Sequence, residues 1–381
     1  MDVRKVAENI YLNAGLVRET GHSGNPKVLQ TLIGPAVRGL ILQKGKESGH
    51  SEISTNNRAF FDWQYNSIKV ELDKLYDAAK RSQWNAATDV NWAEDVDPLN
   101  PEKELIDERM LPLIAIPSYR SLPDNKKMEQ KHALLSWMLS QFLHGEQGAL
   151  LAACQVTEAV EWTSGKLYGS SQVFDEGRHV EVFYRYLNEK LQKLYQVNDN
   201  LYVIIDALMK DSRWDIKFLG MQIMIEGLAL GAFGTIRAST QEPLLKEILR
   251  LVITDEARHV HYGVVALQDY YRDEINEKER AEREDWAYEM SIMLRNRFLA
   301  HEFYDEYYAH SMRRSEWDRY ILQSDVMEFF RKTMFRRLIP NLKRIGLMSD
   351  RIRHHYAELG LLEWEHGRAA PDLTATDLLS N

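Results

Sequence analysis

Asp175-Glu176-Gly177-Arg178-His179 and Asp255-Glu256-Ala257-Arg258-His259 are two copies of one pattern, and they decide how the rest of the chain reads. Within a helix, residues three apart share a face, so the Glu and His of each copy can point at one ion. A single Asp-Glu-x-Arg-His is most often a solvated helix face. Two copies, each with a lone Glu at the same distance upstream, are the donor pattern of a dinuclear carboxylate site in a helical bundle. Glu146 precedes Glu176 by 30 residues, and Glu226 precedes Glu256 by 30. In an antiparallel helix hairpin, two residues come level when each lies the same length from the turn. The midpoints are Glu161, next to Thr163-Ser164-Gly165, and Gln241, inside Ser239-Thr240-Gln241-Glu242-Pro243. Each hairpin thus sets a Glu opposite a Glu-x-x-His. Packed face to face, the two gather Glu146, Glu176, His179, Glu226, Glu256 and His259 around one point.

That set suits transition metals. Four carboxylates neutralise two divalent cations and can bridge them, while two imidazoles favour iron or manganese over calcium or magnesium. Asp175 and Asp255, each one residue before a cluster Glu, are placed to accept a hydrogen bond from the opposite hairpin's His and so fix its tautomer. Arg178 and Arg258 are placed to pair with those acids. Gly227, Ala229, Gly231 and Ala232 around Glu226 point either to close helix packing or to an access cavity.

Outward from the motif, apolar spacing predicts helices over about Lys127 to Trp162, Lys166 to Leu194, a shorter one ending near Lys210, one running to about Ala238, and one starting at Pro243. Asp211-Ser212 and the Ser239-Thr240 hydroxyls are the expected caps, and Asn198-Asp199-Asn200 a turn. Earlier, Val28 to Gln43 and Phe60 to Ala79 have helical spacing, while Gln83 to Trp92 breaks it. Its Asp, Asn and Thr favour turns, and its two Trp need burial, so this stretch reads as a cover laid on a helical body. Later helices are expected near 280–311, 318–337 and 340–359. The fold expected is all-α: one helical domain over 1–381, with a covering segment 1–126, a four-helix core 127–275, C-terminal helices 276–370 and a loose tail 371–381.

Composition narrows the function. The 381 residues carry a net charge of −9 with Lys and Arg interspersed among acids, which argues against nucleic acid as a partner. Ten Pro and twenty Gly leave no linker between autonomous halves. The one cysteine, Cys154, excludes an intramolecular disulfide framework. The N-terminus lacks the pattern of a signal peptide, and no apolar run of membrane-spanning length is evident, so a cytoplasmic location is expected, with no membrane partner.

The six cluster residues and their neighbours resemble the ferritin-like di-iron carboxylate superfamily. Over about residues 130 to 270 they are most similar to the branch of ribonucleotide reductase small subunits, bacterial monooxygenase hydroxylases and stand-alone di-iron oxygenases. The resemblance implies a ferritin-like four-helix bundle with additional N- and C-terminal helices. It also implies two irons, or a manganese–iron pair, held by the six residues, with Asp175 and Asp255 as the outer acids and dioxygen as co-substrate. Phe183 stands where many reductase subunits carry a radical-bearing Tyr, although some carry Phe and a manganese–iron centre. Leu230 replaces a Thr of many hydroxylases, and Val252 replaces a seventh ligand His of the aminobenzoate N-oxygenases.

The expected function is an oxygen-activating oxidoreductase of hydroxylase, epoxidase or desaturase type, acting on a small organic or acyl/aryl thioester substrate. Without a Cys cluster or a Gly-rich nucleotide fingerprint, electrons are expected from a separate reductase or ferredoxin. A radical-generating or ligand-binding oxidase and a ferroxidase are the alternatives, and the resemblance implies a possible homodimer. The basic run Arg331, Lys332, Arg336, Arg337, Lys343 and Arg344 is either a solvated face or a phosphate-binding patch for a thioester. Tyr168, Tyr184 and Trp162 are candidate redox neighbours, Cys154 is expected buried, and His261, His354 and His355 are expected away from metal.

Overall fold

The computed structural model describes residues 3–19, 21–46, 49–66 and 69–379. Among them there is no strand, and the helices are α1 (Val3–Glu19), α2 (Pro26–Ala36), α3 (Val70–Arg81), α4 (Pro117–Arg120), α5 (Asp124–Ala159), α6 (Thr163–Arg185), α7 (Asp199–Lys210) and α8 (Trp214–Phe218). They continue as α9 (Gly227–Ser239), α10 (Pro243–Asp273), α11 (Glu277–Asn296), α12 (His301–Tyr307), α13 (Arg314–Gln323), α14 (Asp325–Arg344), α15 (Asp350–Glu358) and α16 (Ala375–Leu379). The body is two hairpins. In the first, three residues join α5 to α6. In the second, a rod of α8, a wide π turn over Leu219–Glu226 and α9 is joined to α10 across Thr240–Glu242. Trp214–Ser239 is the one described helix long and apolar enough to cross a membrane, and 94% of its most apolar window is buried in the bundle, where it serves as a core rod.

The caps are set by distant or unexpected groups. Glu242, not a hydroxyl, caps α10 by accepting from Leu244 N at 2.8 Å and Leu245 N at 2.6 Å, and Tyr186 donates to it at 2.8 Å. Asp211 does not cap α8; it accepts from Arg213 N and Nε, both at 3.0 Å. Thr163 opens α6 with its N and Oγ1 donating to Asp62 at 2.9 and 2.7 Å. The same contact corrects the helix expected from Phe60. Residues 60–66 are irregular, bending at Trp63 and Gln64 with Tyr65 at φ 55°; Phe60 N donates to Glu158 O at 2.9 Å, and the helix begins only at Val70.

Three further expectations are corrected. The stretch 280–311 breaks at Ala300, whose φ of 50° ends the helical turn, and Trp317 Nε1 holds the break by donating to Leu299 O at 2.6 Å. α14 runs through Pro340 rather than stopping before it. It ends at Arg344, and Gly346 just beyond the cap, with a φ of 83°, closes the last turn as Leu347 N donates to Leu342 O at 2.9 Å. The tail docks instead of hanging free: α16 packs on α10, Leu378 is buried, and Arg237 donates to Leu379 O at 3.2 Å. Residues 380 and 381 lie outside the described residues. Helix α1 is a feature the spacing misses. Its Asn9 and Asn13 donate to Ile41 O and Leu40 O at 2.9 and 2.8 Å, while Tyr11 and Val3 face outward.

Candidate metal centre

All six expected residues are buried, and they meet. Glu146, Glu176, His179 and Glu256 offer donor atoms within 4.8 Å of one another, and so do Glu176, Glu226 and His259. His179 Nδ1 lies 3.3 Å from Glu146 Oε2, 3.3 Å from Glu176 Oε2 and 3.2 Å from Glu256 Oε1. His259 Nδ1 lies 3.1 Å from Glu176 Oε1 and 3.5 Å from Glu256 Oε2. Glu176 Oε2, Glu226 Oε2, both Glu256 oxygens and His259 Nδ1 make no hydrogen bond although fully buried. Buried polar atoms in native proteins are nearly always satisfied, so this convergence of orphans fits a bound cation.

Electrostatics agree. Burial pushes Glu146 up to about 8, assisted by Glu256 and opposed by its hydrogen bond with His179. Burial, then Glu256 and Glu176, pushes Glu226 well above the carboxylate range. Burial acts upward on Glu176 too, but His259 and His179 outweigh it and hold that carboxyl low. Both imidazoles are driven toward the charged form. Burial opposes this, yet the carboxylates of Asp255, Glu146, Glu176 and Glu256 around His179, and the charges of Glu176 and Glu256 at His259, prevail. The four Glu therefore stay buried together only with positive charge among them, and two divalent cations would supply it in place of protons.

The outer groups cross between hairpins. His179 Nε2 is 3.3 Å from Asp255 Oδ2, and His259 Nε2 is 3.2 Å from Asp175 Oδ2, leaving both Nδ1 atoms facing the centre. Arg178 Nη2 donates to Asp175 at 2.5 Å and Asp255 at 3.0 Å. Arg258 Nη2 donates to Asp255 Oδ1 and stands 3.6 Å from Asp175. Two arginines thus balance the two Asp, and the four Glu are left for metal.

Four contributors escape the sequence reading. Trp84 Nε1 donates to Asp255 Oδ2 at 2.8 Å, its ring lies near-parallel to His179 at 6.5 Å, and Arg178 sits 4.6 Å above it. Gln83 donates to Asp175 at 3.2 Å and accepts from Arg178. The stretch 83–92 is thus the expected cover, and it also reaches the centre. Gln172 donates to Glu176 at 3.1 Å and Glu226 at 2.9 Å, and Gln222 donates to Gln172 at 3.2 Å. Each Gln precedes a cluster Glu by four residues, so a polar residue on the buried face one turn earlier was the available signal.

The small residues around Glu226 serve both expected ends. A Cβ on Gly231 would meet Met334 Cα at 2.6 Å, so Gly231 lets α9 and α14 touch. Ala229 instead lines a cavity of about 20 Å³ bordered by Glu146, Glu226, Glu256, Gly145 and Phe233, room for about one water-sized molecule. Phe183 packs against Phe142 and Phe233 with ring centroids at 6.1 and 5.8 Å.

Other candidates fall away from the centre. Cys154 and Tyr184 are exposed, which corrects the burial expected of the first and the redox role offered for the second. Trp162 stacks edge-on with Trp214 at 5.4 Å and under Lys69 at 4.5 Å, whereas Tyr168 is fully buried and its hydroxyl is unpartnered. His261 lies 3.7 Å from Glu71, and His355, only half-exposed, stacks on Tyr288 at 4.7 Å. The basic run is a helix face tied down locally. Lys332 pairs with Glu328 at 3.0 Å, Lys343 with Glu365 at 3.2 Å, and Arg331 donates to Leu322 O at 3.0 Å.

No protein-family model and no curated protein matches the chain. Among solved structures, it is similar to an R2-like ligand-binding oxidase with aerobically reconstituted metal cofactor after photoconversion, at 18% identity and a TM-score of 0.48 over 75% of this chain and 95% of that one. It is also similar to the dimanganese(II)-NrdF of Streptococcus sanguinis, at 14% identity and a TM-score of 0.46 over 84% of this chain and 98% of that one. On its own geometry the body is a ferritin-like all-helical bundle, in which a Glu from each of two rods and a Glu-x-x-His from each of two others project inward to one centre.

Proposed function

We propose that the protein is an oxygen-activating oxidoreductase with a pair of transition metals, two irons or manganese with iron, held by Glu146, Glu176, His179, Glu226, Glu256 and His259. The observation that carries this reading is the convergence of unpartnered buried oxygens of Glu176, Glu226 and Glu256 and of His259 Nδ1 on one centre, beside a small cavity lined by Glu146, Glu226 and Glu256. When bound in its reduced form, such a metal pair supplies electrons to dioxygen. The chain's residues do the rest. Asp175 and Asp255 orient the imidazoles, Gln172 holds Glu176 and Glu226, and Trp84 with Arg178 closes the solvent side. Phe142 and Phe233 line the small cavity at the cluster and Phe183 packs against both, an apolar wall that strengthens the charge interactions beside it. A small organic substrate is favoured over a thioester because much of the basic run is already paired. Electrons come from a separate reductase or ferredoxin.

The test is anaerobic loading with ferrous iron, chemical reduction and exposure to oxygen. The expected results are binding of about two irons per chain and consumption of oxygen in a single turnover; a loaded protein inert to oxygen overturns the reading. One observation favours a second reading. Tyr168, with its free hydroxyl and its ring 4.6 Å from Tyr262, is a buried phenol whose surroundings include His259. An oxidase that stores an oxidising equivalent there would give a paramagnetic radical signal that Tyr168→Phe removes.

A further inference from the structure

Away from the centre, a second group of metal-binding side chains comes together from opposite ends of the chain. His22, on the turn at residues 21–24, has its ring centroid 6.4 Å from that of His355 on α15. The two imidazoles of the centre, His179 and His259, are 5.9 Å apart by the same measure. Both places are fixed by α11. Glu289, 1% exposed, accepts from Gly21 N at 2.9 Å and Ser23 N at 2.5 Å, so it clamps the turn on either side of His22. Arg351 ties the start of α15 down by donating to Glu284 at 2.8 Å and Asp285 at 2.7 Å. Tyr288 lies under both rings, 6.2 Å from His22 and stacked on His355 at 4.7 Å.

The donor atoms are set for an ion. His355 Nδ1 is buried and makes no hydrogen bond. Glu358 Oε2 faces it from 4.0 Å, beyond hydrogen-bond reach, whereas an ion with bonds of about 2.1 Å to each spans that gap. Residues 355 and 358 share a face of α15, as Glu176 and His179 do on α6. The Glu358 side chain is 66% exposed, so its carboxylate is able to close on an ion without disturbing the core. Helix α15 alone offers one imidazole and one acid on that face, which is why its sequence reads as away from metal. The missing imidazole comes from His22.

We propose that His22, His355 and Glu358 form a mononuclear site for a zinc-like transition ion, separate from the bundle centre, which staples the N-terminal turn to α15. Two imidazoles and a carboxylate, with water in the fourth position, are a zinc donor set, and the imidazoles select against magnesium and calcium. His354, whose ring stacks on His355 at 3.9 Å, steadies that imidazole. Ferrous iron binds such donors more weakly than zinc, so ferrous loading of the centre and zinc loading of this site are separable. The inference goes beyond the proposed function and stands without it.

The test is equilibrium dialysis of the full chain against Zn(II), with metal analysis. About three zinc ions per chain are expected, two at the centre and one here. His22→Asn, His355→Gln and Glu358→Gln are each expected to weaken the third ion by more than the about tenfold that loss of an outer partner costs, and to leave the other two in place. Filling the third site is expected to raise the melting midpoint of the parent chain beyond the rise that the first two ions give, and the variants to lack that further rise. A parent chain that stops at two ions overturns the assignment, and so does a third ion that persists in any of the three variants. Should His355→Gln fail to fold, the exposed His22 and Glu358 decide. A parent chain that binds one ion, lost in all three variants, would uphold this site and strike the dinuclear centre alone.

Discussion

Trp84 shows how one side chain can matter to a centre it does not enter. Its Nε1–H is one of several donors on Asp255, which orients His179. Trp84→Phe keeps most of the ring and removes only that donor. Metal affinity measured by chelator competition is expected to fall by about tenfold or more, and stability by about 1 kcal/mol in a denaturant titration. Lys217 gives a pH test. Its ammonium is buried, donates to Gln155 and to Leu208 O at 3.3 Å, and burial lowers its pKa to about 8 from 10.5. Between those two values the unfolded chain binds the proton more tightly than the folded one, so this group's contribution to stability rises with pH across the window. Lys217→Met is expected to flatten the change in urea midpoint between about pH 8 and about pH 10; an unchanged slope counts against it. At this scale the sequence was legible where donors lie three or four apart on one helix. Trp84 and Gln83 were not, because nothing local ties them to acids 92 and 171 residues away.

Between elements, glycines mark where helices touch and where they do not. Gly231→Ala would press a methyl into the backbone of Met334 and Thr333 on α14, contacts that cannot swing aside. A loss of about 1 to 3 kcal/mol in chemical denaturation is expected. Gly177 occupies the place that Ala257 holds in the second copy of the motif, and a Cβ there meets nothing within 4 Å. Gly177→Ala is expected to stabilise by about 0.5 to 1 kcal/mol, read the same way, and a loss would mean the two helices differ more than their motifs do. The long rods were legible because their apolar period persists. Boundaries were less so. Asp62 reaches across from a non-helical segment to start α6, Glu242 caps where a hydroxyl was expected, and Pro340 lies inside a helix whose last turn Gly346 closes. Each of these outcomes depends on a partner or a backbone angle that periodicity does not report.

For the molecule as a whole, metal and fold are linked. Four buried Glu repel one another unless cations or protons lie among them, so Zn(II) or Fe(II) is expected to raise the melting midpoint and a strong chelator to lower it. A midpoint indifferent to both would argue against a built cation site. The crossing of the outer acids carries a separate consequence. His259 leans on Asp175, 84 residues upstream, and His179 on Asp255, 76 residues downstream. Each repeat unit therefore finishes its sister's imidazole and leaves its own undone. Excised as a miniature, either half would carry a misaligned histidine and a stranded acid, so the pair should be recoverable only as a cooperative whole, whether expressed as one polypeptide or as two reassociating fragments.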